Sequence, residues 1–276
     1  MKHKDRRLNP QRIYPALIFV PLFYVLVRYL PPVAFFAIIL TAGLLAFVEW
    51  HRLLLPLTAP RGGMAIGLVC LTLLISHMQW PAIGSFELTL LIILSILFFH
   101  QLTHPPRDTT LLSLPIILFG IIYIGLPLGF LLLTRQLPHG EFLIFYILLV
   151  TWAGDTAAYY VGTLWGTKPI APILSPKKTV EGFIGALLFV PLIAWLAHLW
   201  FLPQLTAWDC IATGLLLTSG GLLGDLSESA FKRASGIKDS GSIIPGHGGM
   251  LDRLDSLLFT APLFYYYILF AKGIAS

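Results

Sequence analysis

Apolar positions in this chain do not alternate with polar ones; they run on. Nine stretches, near residues 13–30, 32–50, 64–80, 83–100, 111–133, 141–162, 182–201, 207–226 and 252–271, are apolar almost throughout. A bilayer core ~30 Å thick is crossed by about 20 residues rising 1.5 Å each. In lipid a helix satisfies its own backbone hydrogen bonds, so runs of this length predict transmembrane helices. Trp80-Pro81 divides the third run from the fourth, and the fifth contains Pro115 and Pro127, which a membrane helix tolerates with a kink. The expected fold is an all-α polytopic integral membrane protein of about nine transmembrane helices, with residues 1–276 forming a single membrane domain.

Composition sharpens that picture. The chain is 57% hydrophobic and 11% charged, where a soluble domain would carry about 25% charged residues. The basic residues then set the orientation. Lys2, Lys4, Arg6, Arg7 and Arg12 precede the first run, which places the N-terminus in the cytoplasm. Alternation from there leaves only Arg28, Arg135 and Lys272, of 18 Lys and Arg, on the opposite side. The first run is long and lacks a small-residue cleavage site, so it reads as a retained anchor rather than a signal peptide. The basic N-terminus reads as a topology signal in contact with lipid headgroups, not as a nucleic-acid surface. Cys70 and Cys210 both fall in apolar runs and read as packing residues, with no disulfide.

Charge is scarce and concentrated. Between Gly220 and Ser256 lie Asp225, Glu228, Asp239, Asp252 and Asp255, with Lys232, Arg233, Lys238 and Arg253 and the turn Pro245-Gly246-His247-Gly248-Gly249. If the eighth helix continues past Leu226, Asp225, Ser229 and Lys232 fall on one stripe at i, i+4 and i+7. Asp252 and Asp255, at i and i+3, share a face at the start of the ninth. Asp225 and Asp252 can therefore meet where one helix leaves and the next enters the membrane. Two carboxylates at a wet edge suit Mg²⁺, which keeps waters and is completed by substrate phosphates. Lys232, Arg233 and Lys238 would take the remaining phosphate charge. Gly246, Gly248 and Gly249 would let backbone N–H groups approach an anion near a helix N-terminus. The plainer alternative for the acids is helix capping and surface charge.

Two further segments stand out. Asp155, in Thr151-Trp152-Ala153-Gly154-Asp155-Thr156-Ala157-Ala158-Tyr159, lies inside an apolar run, where an unpaired acid costs ~2.5–3.5 kcal/mol. It faces either a polar cavity or a hydrogen-bond partner on another helix. Ser175-Pro176-Lys177-Lys178-Thr179-Val180-Glu181-Gly182 precedes the seventh run and reads either as a phosphate site or as interfacial charge. Glu49 and Arg52 end the second run and either pair or help to line a cavity. The histidines show no zinc-ligand spacing, and neither a Walker A pattern nor a Rossmann fingerprint occurs.

The run Ser229-x-x-Lys232-Arg233-x4-Lys238-Asp239-x5-Pro245-x-His247-Gly248-Gly249-x-x-Asp252-Arg253-x-Asp255 resembles the signature of the phosphatidate cytidylyltransferases, or CDP-diacylglycerol synthases. The resemblance extends to Gly224-Asp225-Leu226-x-Glu228-Ser229, to Asp155-Thr156-x-Ala158-Tyr159 and to the 175–182 segment. Ala157 and Val180 depart from the usual Gly and aromatic without removing a charged or ligating atom. Residues 1–140 match only as a set of apolar spans, so 141–276 is expected to hold the catalytic helices and cytoplasmic loops.

The resemblance implies a membrane enzyme that makes CDP-diacylglycerol and pyrophosphate from CTP and phosphatidic acid, by in-line attack at the α-phosphorus. It implies Asp225, Lys232 and Asp252 as catalytic residues, with Asp225 and Asp252 holding Mg²⁺ and a second cation as an option. Asp155, Ser175, Lys177, Lys178 and Thr179 would bind substrate, together with Ser229, Arg233, Lys238, His247, Gly248, Gly249, Arg253 and Asp255. It also implies a homodimer in a bacterial inner membrane with its site facing the cytoplasm. Two rival readings are another CTP-using lipid enzyme, such as an isoprenoid-lipid kinase or cytidylyltransferase, and an ion-coupled transporter. Charge gathered at one membrane face argues against the transporter.

Overall fold

A computed structural model describes residues 21, 24–25, 27–54, 62–103, 110–237 and 249–273. The described residues form eight long helices: α1 (Pro32–Leu54), α2 (Gly62–Gln79), α3 (Phe86–Thr103), α4 (Thr110–Gln136), α5 (Gly140–Trp165), α6 (Val180–Trp200), α7 (Ala207–Ala234) and α8 (Leu251–Lys272). Seven are long and apolar enough to cross a membrane, and α2 holds a shorter apolar segment. Each overlaps one expected run, from the second to the ninth. Most of the expected first span lies outside the described residues, which show helix at 27–29.

Between α5 and α6 the chain forms an antiparallel hairpin, β1 (Pro169–Ala171) and β2 (Ser175–Thr179), pairing Pro169 with Thr179 and Ala171 with Ser175. The helical reading treats this segment as a polar loop. Its prolines at 169, 172 and 176 exclude a helix, and a two-stranded ribbon is all edge, where missing N–H donors are tolerated.

Helix packing joins the two halves of the chain. α5 packs on α6, α7 packs on both α6 and α8, and α2 packs on α4. α4 in turn lies against α8, and α1 also reaches α8. Trp50 is fully buried and its indole N–H donates to the Ile116 carbonyl at 3.2 Å. Its ring meets Phe119, Tyr123 and Phe231, knitting α1, α4 and α7 together. Polar side chains add interhelical bonds: Tyr146 and Thr213 hydroxyls lie 2.6 Å apart, and Thr151 donates to Thr260 at 3.3 Å. With lipid outside, such packing and hydrogen bonding hold a bundle that burial alone would not. The outer faces are correspondingly apolar, as Leu188, Leu199 and Trp200 of α6 and Phe99 of α3 are exposed.

Salt bridges pin the end of the bundle away from the polar loops. Glu141 accepts from Arg28 at 3.1 Å and Arg135 at 3.0 Å, and Lys272 pairs with Asp209 at 2.5 Å. These are the three basic residues that positive-inside alternation leaves on that side, and each has an acidic partner here. Neutralised in this way, they weaken the charge bias less than a simple count of lysines and arginines suggests.

Candidate active site

The hairpin is tied down at both ends. Thr179 caps α6 by accepting from the Gly182 N–H at 3.2 Å, and the Val180 N–H donates to the Lys168 carbonyl at 2.8 Å. The Glu181 carboxylate accepts from the Thr167 N–H at 3.1 Å and from the Thr167 hydroxyl and the Lys168 N–H. Gly182 permits this closeness: a Cβ there would stand 2.6 Å from the Ala158 carbonyl of α5. From β2, Lys178 reaches Asp225 of α7 in an ion pair, while Lys177 stays exposed. At the tip, the Arg233 Nε–H of α7 donates to the Leu174 carbonyl at 3.3 Å.

α7 and α8 meet at Gly224, where an added Cβ would lie 2.2 Å from the Asp255 carbonyl. Helices in such contact bring their adjacent side chains together. Carboxylate oxygens of Asp225, Glu228 and Asp255 all lie within 4.8 Å of one another. Glu228 is 1% exposed, and its Oε1 has no hydrogen-bond partner among the described residues. Three carboxylates this close repel unless protons or cations offset their charge, and Lys178 and Lys232 supply part of that offset here. Their hard oxygen donors and spacing fit a small divalent ion such as Mg²⁺.

Lys232 stands beside this trio, its ammonium 2.6 Å from both Glu228 and Asp252. The other oxygen of Asp252 accepts from the Gly249 N–H at 3.2 Å. Asp252 joins the acidic group both through Lys232 and directly, its carboxyl lying against that of Glu228, while the oxygens of Asp225, Glu228 and Asp255 converge on one another. Around Asp225 the structure gathers Glu228 and Asp255, a grouping the sequence reading did not make. The reason is helical geometry: Asp255 lies one turn deeper than Asp252, at the level where Gly224 lets the helices touch.

A cavity of about 1320 Å³ opens beside this cluster between α5, the hairpin, α6 and α7. Its lining mixes polar and charged groups, among them Asp155, Lys177, Lys178 and Asp225, with apolar ones such as Phe183, Ala186 and Leu217. Asp155 is exposed, but into this cavity, which decides between its two expected settings. The volume exceeds the ~300–1,000 Å³ of an ordinary small-ligand pocket. Charged and apolar side chains share its walls, so it suits a ligand with both characters.

The structure thus gathers Asp155, Ser175, Lys177, Lys178, Thr179 and Asp225 on one cavity, with Lys232, Asp252 and Asp255 adjoining. Ser229 is half-buried on α7, and Arg233 is held against the hairpin tip. Arg253 is exposed at the start of α8, and Gly249 contributes its N–H to Asp252. Lys238, Asp239, Pro245, His247 and Gly248 lie outside the described residues. The sequence reading missed Glu228 as a member of the acidic trio, although its i+3 spacing from Asp225 was a usable signal. It also missed the setting of Glu49, which pairs with backbone rather than lining the cavity: its carboxylate accepts from the Met250 and Leu251 N–H groups at 2.9 and 2.8 Å.

Comparison with known proteins agrees with this geometry. A protein named phosphatidate cytidylyltransferase from Staphylococcus aureus (strain COL) is 38% identical over 200 residues, 72% of this chain and 75% of its own. One of the same name from Staphylococcus haemolyticus is 37% identical over the same shares. A third, from Staphylococcus saprophyticus, is 34% identical over 82% of this chain and 87% of its own. Residues 10–271 match the cytidylyltransferase family as a whole, so the likeness takes in the apolar N-terminal helices as well as the motif-bearing ones. With charged motifs, helical bundle and near-full-length similarity in agreement, the chain belongs to the cytidylyltransferase family.

Proposed function

We propose that this protein is a phosphatidate cytidylyltransferase, converting CTP and phosphatidic acid to CDP-diacylglycerol and pyrophosphate at the cytoplasmic face of a bacterial inner membrane. The observation that carries the proposal is the cavity itself. Its walls combine the charged Lys177, Lys178, Asp155 and Asp225 with apolar side chains such as Phe183, Ala186 and Leu217. One substrate is a soluble polyanion and the other a lipid whose phosphate sits at headgroup level, so a reaction joining them needs such a chamber at a membrane edge.

In this reading a phosphatidate oxygen attacks the α-phosphorus of CTP. The new P–O bond forms as the bond between that phosphorus and the α–β bridging oxygen breaks, and pyrophosphate leaves with the electron pair. The reaction needs positioning and charge compensation rather than a covalent enzyme intermediate. Lys177 and Lys178 bind phosphate oxygens from the hairpin. Lys178 exchanges its ion pair with Asp225 for a substrate phosphate. Asp225, Glu228 and Asp255 would hold Mg²⁺, which when bound supplies Lewis-acid stabilisation of the developing phosphate charge. Lys232 keeps Glu228 and Asp252 oriented and offsets part of the acidic group's charge.

The test is pyrophosphate release by the purified protein in detergent, with CTP and phosphatidate both required. CTP labelled at the α-phosphate should transfer its label to lipid. Label entering lipid from the γ-phosphate instead would mark a lipid kinase and refute the proposal. The homodimer belongs to the same reading, and a monomer mass in native mass spectrometry would remove that part alone.

A further inference from the structure

α8 starts without a cap of its own. Met250 at its N-cap position makes no side-chain capping bond. A helix N-terminus exposes N–H groups that need acceptors, and here they find carboxylates. Gly249 donates to Asp252, while Met250 and Leu251 donate to the two oxygens of Glu49. Glu49 lies on α1, about 200 residues away, and is 1% exposed. Its negative charge also meets the positive end of the α8 dipole. The turn it holds is the one that carries Asp252, and Asp255 follows three residues later.

We propose that Glu49 is a positioning residue for catalysis. From the N-terminal half of the chain it fixes the first turn of α8, and so sets where Asp252 and Asp255 stand against Asp225, Glu228 and Lys232. The cap is rigid because both oxygens of one buried carboxylate are engaged by consecutive N–H groups. A carboxamide could accept only one of those bonds. The functional half of the inference rests on reading the acidic trio as a cation site; the structural half does not.

The experiment compares Glu49→Gln and Glu49→Ala with Thr206→Ala. Thr206 caps α7 through a reciprocal box with Asp209 at the far end of the bundle, so its loss is a matched structural control. Two quantities are measured: the Mg²⁺ concentration giving half-maximal protection against thermal unfolding without CTP, and hydrogen exchange of the 249–256 peptide. Removing a group that orients metal ligands costs ~10–100-fold in affinity. Glu49→Ala should raise the Mg²⁺ half-point about tenfold, with Glu49→Gln intermediate. Both should speed exchange at 249–256, while Thr206→Ala leaves both quantities within about twofold of the parent protein. An unmoved half-point in folded Glu49→Gln, or an equal shift in Thr206→Ala, would overturn the proposal. A parent protein indifferent to Mg²⁺ would refute the cation reading instead, and exchange alone would then decide whether Glu49 holds the turn.

Discussion

Asp225 faces two ways at once. It pairs with Lys178 from the hairpin, and it lies within 4.8 Å of Glu228 and Asp255 on the bundle side. Asp225→Asn removes the charge that both contacts use and leaves the shape, so the fold should survive. Turnover should fall about 10²–10³-fold, the scale of losing one preorganised charge contact, when measured at saturating Mg²⁺. Lys178→Met makes a sharper prediction because two effects take opposite signs. Removing the ammonium leaves Asp225 without its described counter-ion, so Mn²⁺ should bind the nucleotide-free protein more tightly, by up to about tenfold. The same change removes a phosphate contact, so the KM for CTP should rise by about tenfold. Paramagnetic titration and steady-state kinetics on one preparation measure both. A fall in both affinities together would show that Lys178 does not compete with the cation.

Between elements, the decisive contact is the one without a side chain. At Gly224 a Cβ would meet the Asp255 carbonyl at 2.2 Å, and a backbone atom in a helix cannot swing aside. Gly224→Ala should therefore push α7 and α8 apart at the level of the acidic trio, costing about 1–3 kcal/mol by overpacking. Thermal unfolding should register that loss, and activity should fall further than stability because the carboxylates separate. Thr179→Ala offers a contrast at the mouth of α6. Losing the cap to Gly182 should cost about 1 kcal/mol and loosen the hairpin that presents Lys177 and Lys178. The KM for CTP should rise more than kcat falls. An unchanged KM in a destabilised protein would confine Thr179 to capping.

Across the whole molecule, charge and packing agree on two unlike ends. One end gathers the hairpin, Lys232, Arg233 and the start of α8. The other closes on Glu141 with its two arginines and on Asp209 with Lys272. Orientation is then a single choice, and the basic loops predict that the hairpin end faces the cytoplasm. Ile173, at the hairpin tip, is 86% exposed and can report on it. A cysteine there, with Cys70 and Cys210 replaced by Ala, should react with an impermeant maleimide in inverted vesicles and not in intact cells. Labelling in intact cells would reverse the topology and place the cavity outside the reach of cytoplasmic CTP.

The helices were legible in the sequence because membrane insertion is a local demand. Each segment must be apolar over its own length and must satisfy its own backbone, so the second to ninth runs predict α1 to α8 closely. The charged motifs were legible for a related reason, since charges are costly near lipid and persist where they have work. What one residue meets from another helix is a different matter. The pairing of Lys178 with Asp225, the convergence of Glu228 and Asp255 on Asp225, and the capping of α8 by Glu49 all depend on interhelical distances. Those distances are set by where two backbones can touch, as at Gly224, and no run of residues in a single helix records them. The sequence by itself determined which segments cross the membrane and where the charge collects; the tertiary structure decided which carboxylates share a site, because that depends on the depth at which α7 and α8 come into contact.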